Sequence, residues 1–201
     1  MADSIENGGS GVKIGMHVDQ NEQAHVHAIT RTTTQDALEK GNAYNINTGV
    51  IGLTSTSESS VLYFKNDEAP VNGESSFIID AIAVGIGDGG TQDEKATITV
   101  VRNPTAASFS TDVDMKANRN FGSSNELSST TLVYKGAEAA TFTGGDAIAQ
   151  FYESGNRGYY SIDMEVPRGS AIGIKMDTQT SAGTTDVYVA IIGHRKDGKN
   201  K

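Results

Sequence analysis

Residues 77–86 read Phe77-Ile78-Ile79-Asp80-Ala81-Ile82-Ala83-Val84-Gly85-Ile86. Apart from Asp80 the stretch is apolar at both alternating sets of positions and rich in β-branched side chains, and Gly87-Asp88-Gly89-Gly90 ends it. Such a run, stopped by turn residues, reads as a strand covered on both faces, which places it in the middle of a sheet. It falls well short of the roughly 20 apolar residues that cross a bilayer. Asp80 interrupts it, so a partner for that carboxylate is expected, either a core Lys or Tyr or an interface.

The sequence on either side repeats the strand signal. Tyr159–Val166 alternates, with Tyr160, Ile162, Met164 and Val166 on one face. Val61-Leu62-Tyr63-Phe64 is a short buried strand closed by Asn66-Asp67-Glu68 and Pro70. Ala96–Val101, Leu132–Tyr134, Ala147–Tyr152, Ala171–Met176 and Val187–Ile192 are bounded in the same way by Gly, Pro, Asn or Ser turns. Tyr44, Ile46, Thr48 and Val50 share a face, and Ile51 and Leu53 then take the opposite phase, so a bulge is expected near Gly49 or Gly52. Asp36 and Glu39 have capping-box spacing with Gly41 as a stop, which predicts one helical turn. Residues 105–130 are a Ser-, Thr- and Asn-rich excursion with a weak strand at 111–116.

Roughly eight to ten short strands separated by turns predict an all-β protein, an antiparallel β-sandwich of jelly-roll type. The pattern divides it into a flexible N-terminal arm (1–20), the sandwich (21–194) and a basic C-terminal tail (195–201). The arm contains Asn7-Gly8-Gly9-Ser10-Gly11 and then a short alternation of Val12, Ile14, Met16 and Val18. No internal repeat is visible.

Composition removes whole classes of chemistry. With no cysteine there is no disulfide, zinc–thiolate site or cysteine nucleophile. A formal charge of -9 is the wrong sign for a whole-domain nucleic-acid binder. The polar, acidic start Met1-Ala2-Asp3-Ser4-Ile5-Glu6 has neither the basic nor the apolar region of a secretory signal, so synthesis in a cytoplasm without a signal peptide is expected.

The remaining constellations are weak. His25-Val26-His27 would point both imidazoles one way on a strand, as in the opening of the first cupin motif, but no Glu follows before Glu39 and only His194 lies downstream. A polar strand face in a subunit contact accounts for the pair more simply. The acidic segments Asp88–Glu94 and Asp112-Val113-Asp114 lack EF-hand spacing and read as solvated turns. Tyr152, Tyr159 and Tyr160 form at most a small sugar-stacking patch in a chain without Trp, and read more simply as strand core and edge residues. Arg195, Lys196, Lys199 and Lys201 read as a solvated terminus. There is no Gly-X-Ser-X-Gly elbow and no phosphate-binding loop. The reading is therefore of a non-enzyme with no catalytic, cofactor-binding or metal residue assigned.

Three stretches carry a resemblance: Gly41-Asn42-Ala43-Tyr44-Asn45-Ile46-Asn47-Thr48-Gly49, then Ile51-Gly52-Leu53-Thr54, then Glu58-Ser59-Ser60 running into Val61–Glu68. Here the chain resembles structural proteins of tailed bacteriophages. Asp163–Ser170 and Val187-Tyr188-Val189-Ala190 are similar to the closing strands of their jelly rolls. The family is that of the head decoration, or cement, proteins. The resemblance covers a minor part of the chain, and the first forty residues depart from it. It implies a virion component, a sandwich bound outside the capsid to the major capsid protein, as a homotrimer at symmetry axes. It implies no membrane or nucleic-acid partner and brings no individual functional residue. The alternative is a receptor- or carbohydrate-binding jelly roll of a tail fibre or baseplate, taking a host-surface glycan through the loops near Tyr152–Tyr160 or Asp88–Glu94. A third reading, a cupin-type metalloenzyme, would use His25 and His27.

Overall fold

A computed structural model describes residues 32–54, 58–70, 75–87, 95–106, 109, 111–154, 157–178 and 184–196, and the backbone of 4–6, 13–18 and 24–29. In chain order the elements are β1 (Ser4–Glu6), β2 (Lys13–Val18), β3 (Ala24–Ile29), α1 (Thr33–Glu39), β4 (Ala43–Asn47), β5 (Ile51–Leu53), β6 (Ser59–Lys65), β7 (Phe77–Ile86) and β8 (Ala96–Arg102). There follow β9 (Thr105–Ala106), β10 (Thr111–Asp112), β11 (Met115–Asn118), β12 (Leu132–Lys135), β13 (Phe142–Thr143), β14 (Asp146–Glu153), β15 (Arg157–Val166), β16 (Ala171–Asp177) and β17 (Thr185–Arg195).

Two antiparallel sheets form a sandwich. One has the order β10-β12-β6-β16-β8-β14 and the other β11-β4-β17-β7-β15, with β5 also on β17. The long strands pair from the outside of the chain inward: β4 with β17, β6 with β16, β7 with β15, β8 with β14. The pairs β17–β7 and β16–β8 then complete the two sheets. First with last and innermost together is a long hairpin rolled on itself, which is the jelly-roll connection. Residues 77–86 lie mid-sheet, as their two-sided apolar character predicts, between β17 and β15.

Between the sheets the inward positions form one core: Leu62 and Phe64 of β6, Ile79 and Ile82 of β7, Ile172, Ile174 and Met176 of β16, and Val189 and Ile191 of β17. Phe64 and Phe77 meet at 4.9 Å between ring centroids. β6 is buried on both faces because an aromatic lid covers its outer side. Tyr63 stacks on Tyr134 at 6.3 Å, and Phe109 and Phe142 close over it. Gly173 of β16 sits under that lid; a Cβ there would lie 2.4 Å from the Phe142 ring.

Three local readings differ from the sequence expectation. The helix is capped one box earlier, by Thr32 accepting from the Gln35 N–H at 3.2 Å while Gln35 Oε1 accepts from Thr32 N–H at 3.1 Å. Asp36 is then free to pair with Lys40 one turn on, at 2.8 Å. The phase change after β4 is a break: Gly49 takes φ +69, and the chain resumes as β5 on the same neighbour, β17. Ala24–Ile29, inside the span 21–194 expected for the sandwich, pairs with β2 in a separate sheet of order β1-β2-β3.

The excursion 105–130 acts as a strap. Its β11 closes the free edge of β4, and β12 just after it closes that of β6. Asn side chains tie the strap to the helix end: Asn118 Nδ2 donates to Gly41 O at 2.7 Å, and Asn120 Nδ2 to Leu38 O at 3.0 Å.

Candidate functional site

Asp80 is passed over in both ladders of β7. On β17 Ile192 pairs with Ala81 and Gly193 with Ile79, and on β15 Ser161 pairs with Ala81 and Met164 with Ile79. A bulge re-aims the side chain it carries, and here it brings the carboxylate to His194 on the outer face of the sheet. His194 Nδ1 lies 3.0 Å from Asp80 Oδ1 and 3.2 Å from Oδ2. Thr34, in α1, donates its hydroxyl to Asp80 Oδ1 at 3.5 Å. His194 is only 4% exposed, so it is a strand residue of the sandwich, not part of a free basic tail. The hydroxyl meets the carboxylate and not the imidazole, which is the wrong order for a nucleophile–histidine–acid relay. What the cluster does is fasten α1 to the sheet.

The first two residues of the expected tail, Arg195 and Lys196, are held as well. Arg195 closes β17 and its Nη1 lies 3.4 Å from Glu68 Oε2. Glu68 is 2% exposed and accepts from the Thr131 hydroxyl at 2.6 Å and the Ser128 N–H at 2.7 Å. Burial raises the Tyr44 phenol, with the nearby Arg195 guanidinium pulling the other way. Lys196 bonds Glu165 at 3.2 Å. Glu165 is held below the usual carboxylate range by hydrogen bonds from Ser76 and Lys196.

Other candidates from the sequence are placed as follows. Asp112 pairs with Lys116 at 3.3 Å, and Asp114 with Lys135, so their charge is already met within the sandwich. Among the described residues no group of three or more metal-ligating side chains is brought together. Residues 88–94, and the side chains of His25 and His27, lie outside the described residues. Lys199 and Lys201 lie outside them too. The three tyrosines do not share a platform. Tyr152 pairs across from Thr97 and Tyr159 from Ala83, so they stand on the outer faces of opposite sheets. Tyr160 turns inward between them and stacks on Phe151, with centroids 4.3 Å apart and planes 18° apart.

The most distinctive surface is the side of the sandwich formed by β14 and β15, each the last strand of its sheet. Three of the six large apolar side chains exposed among the described residues stand here: Ile148 (44%), Tyr152 (56%) and Tyr159 (66%). Behind them the seam between the sheets is only partly closed by Ala149, Phe151, Tyr160, Ile162 and Met164. The Tyr160 hydroxyl donates to Glu153 at 3.0 Å. Burial first, then that bond and the Glu153 charge, push the phenol up to about 12. Both edges carry register shifts, at Ala147/Ala149 and at Ser161/Met164, where Asp163 takes φ +42. Such bulges blunt an edge against adding another strand. The surface presents side chains rather than a regular backbone ladder.

Two elements of this arrangement have little sequence signature. Glu68 reads as one of several turn acids, and Arg195 as one of several tail cations. They lie more than a hundred residues apart, and the fold, which sets Arg195 opposite Phe77 in the β17–β7 pairing, makes them partners. No protein-family model matches the chain, and a comparison with curated proteins finds no match.

Proposed function

We propose that the chain is a virion structural protein that decorates and stabilises a phage capsid by binding across capsomers. The proposal has two supports. One is the resemblance of residues 41–68 and 163–190 to head decoration proteins. The other, which carries the reading, is the β14–β15 side: Ile148 and Tyr152 exposed on one sheet, Tyr159 exposed on the other and a partly closed apolar seam between them, on edges whose bulges disfavour open-ended strand pairing. Aromatic anchors of this kind are enriched where protein surfaces bind each other. The major capsid protein is the partner, and the homotrimer is the unit that binds. The work is mechanical: contact area added between neighbours, with no bond made or broken.

The test is co-sedimentation of the purified chain with capsids that lack it, together with its mass by light scattering. Ile148→Asp and Tyr159→Asp sit at exposed positions and leave the core intact. They should abolish co-sedimentation while the circular dichroism spectrum is kept. Undiminished binding by both variants would remove the β14–β15 side from the interface. No binding by the unaltered chain would remove the reading itself.

A further inference from the structure

Six large apolar side chains stand exposed among the described residues, and the sheet order sorts them onto two opposite flanks of the sandwich. Ile148, Tyr152 and Tyr159 are on β14 and β15. Met115 is on β11, the strand at the other end of its sheet. Val50 follows Gly49, which lies against Asp114 just before β11. Phe121 tips the turn after β11 and is fully exposed.

The loop that carries Phe121 is fastened to the end of α1. Asn120 Nδ2 donates to Leu38 O at 3.0 Å and Glu39 O at 3.2 Å, and Asn125 Nδ2 donates to Lys40 O and Gly41 O, each at 3.2 Å. Asn118 Nδ2 donates to Asn125 O at 2.9 Å and closes the loop on itself. The turn is fixed too: Gly122 N–H donates to Asn120 Oδ1 at 2.9 Å, and Ser123 N–H to Asn120 O at 3.0 Å. These bonds satisfy carbonyls left open at the helix end. None of them needs a phenyl ring at position 121. A ring on a support this rigid loses little conformational freedom when it is covered, and a covered Phe buries roughly 150–250 Å2.

We propose that copies of this chain associate with one another, Phe121 of one copy entering the β14–β15 seam of the next. The seam lies on the opposite flank of the same sandwich. Its lining, Ala149, Phe151, Tyr160, Ile162 and Met164, packs on the core yet is only partly buried. Charge complementarity favours a second copy as the occupant. Arg119 and Glu126 on the Phe121 loop are exposed and have no ion-pair partner among the described residues, and the same holds for Asp163 and Arg157 on β15. Asp163 stands between two seam residues, Ile162 and Met164. Each side of the contact thus brings one free cation and one free carboxylate to the other. Because prong and socket are different surfaces, the contact is heterologous, and it closes into a ring when the rotation between copies divides a full turn. The inference rests on the homotrimer of the proposed function and says what holds it together. Ile148, Tyr152 and Tyr159 flank the seam and remain the capsid-facing residues.

The experiment is light scattering of the full chain behind a sizing column. The unaltered chain should have three times its 21.1 kDa. Phe121→Ser, at an exposed position, and Ile162→Glu, in the socket, should each run as a monomer with unchanged circular dichroism. Mixed, the two variants should form a complex of two chains, since the first keeps its socket and the second its prong. The full chain with the photo-crosslinker p-benzoylphenylalanine in place of Phe121 should couple to peptides from residues 146–166, a readout that needs no altered socket. The contact is overturned by a monomeric unaltered chain, by Phe121→Ser that keeps the full mass, by no complex in the mixture of folded variants, or by crosslinks confined to other peptides. Capsid co-sedimentation separates the two proposals. A trimer held by this contact that leaves capsids unbound removes the capsid reading alone, and capsid binding by Phe121→Ser at full mass removes this contact alone.

Discussion

Replacing Asp80 by Ala isolates the polar cluster at the bulge of β7. The substitution removes the acceptor that His194 Nδ1 meets at 3.0 Å and the contact from Thr34 at 3.5 Å. His194 is 4% exposed, so water cannot fully replace the lost partner. A buried donor left without an acceptor costs about 1–3 kcal/mol, and breaking a fully buried ion pair about 3–5 kcal/mol. The Asp80 side chain retains 18% exposure, which admits some solvent and points to the lower range. A loss of about 2 kcal/mol follows, and for a chain of 201 residues that is about 4–8 °C in Tm. Asp80→Asn keeps the shape and one acceptor and should lose about half as much. In a double-mutant cycle with His194→Ala, the coupling should be about 1–2 kcal/mol. Urea denaturation with an unchanged m-value measures all of these. Additivity within about 0.3 kcal/mol would refute the reasoning, because it would mean that the two side chains do not depend on each other.

Two further outcomes follow from local geometry. Tyr160 is raised to about 12, so its neutral form is favoured in the folded state. Its contribution is intact below the ordinary phenol value near 10 and is lost as pH rises from there towards 12. Denaturation at rising alkaline pH should therefore show a shallower loss in Tyr160→Phe than in the unaltered chain, and an identical loss would contradict the assignment. Gly173→Ala places a Cβ 2.4 Å from the Phe142 ring and 2.9 Å from Pro104 Cγ. Overpacking of this kind costs about 1–3 kcal/mol, and adding Phe142→Leu should recover part of it. No recovery in the double variant would place the cost elsewhere.

Strand existence was legible because period-two burial is a local signal. Residues 77–86 and 159–166 read correctly for that reason. Partnership was not, since it depends on pairings such as Ala43 with His194 that span nearly the whole chain. Arg195 therefore reads as tail, and His194 as no more than the last residue before it, although each is held by a carboxylate from β7 or from the turn after β6. The helix cap was misplaced by one box because Thr32–Gln35 and Asp36–Glu39 have equal spacing, and the structure uses the first. Asp80 was legible as an anomaly but its partner was not. The β14–β15 side was partly visible as Tyr152 and Tyr159, which with Tyr160 read as at most a small sugar-stacking patch and more simply as strand core and edge residues. The fold puts Tyr152 and Tyr159 on opposite sheets and brings Phe151 to Tyr160.

The placement of the excursion decides which side of the sandwich is available. A two-sheet roll has four free edges, and an uncovered edge is exposed to unwanted pairing. On one side, β11 covers β4 and β12 covers β6, and Asn118 and Asn120 lock this strap to the end of α1. That side is closed by backbone and amide bonds. On the opposite side β14 and β15 remain terminal, blunted only by their bulges, with the half-open seam of Phe151, Tyr160, Ile162 and Met164 between them. A fold that stabilises itself through its central strands and straps one flank leaves the other flank uncovered. A partner of matching apolar shape would gain from covering Ile148, Tyr152 and Tyr159 without disturbing the core at all, because none of the three belongs to it.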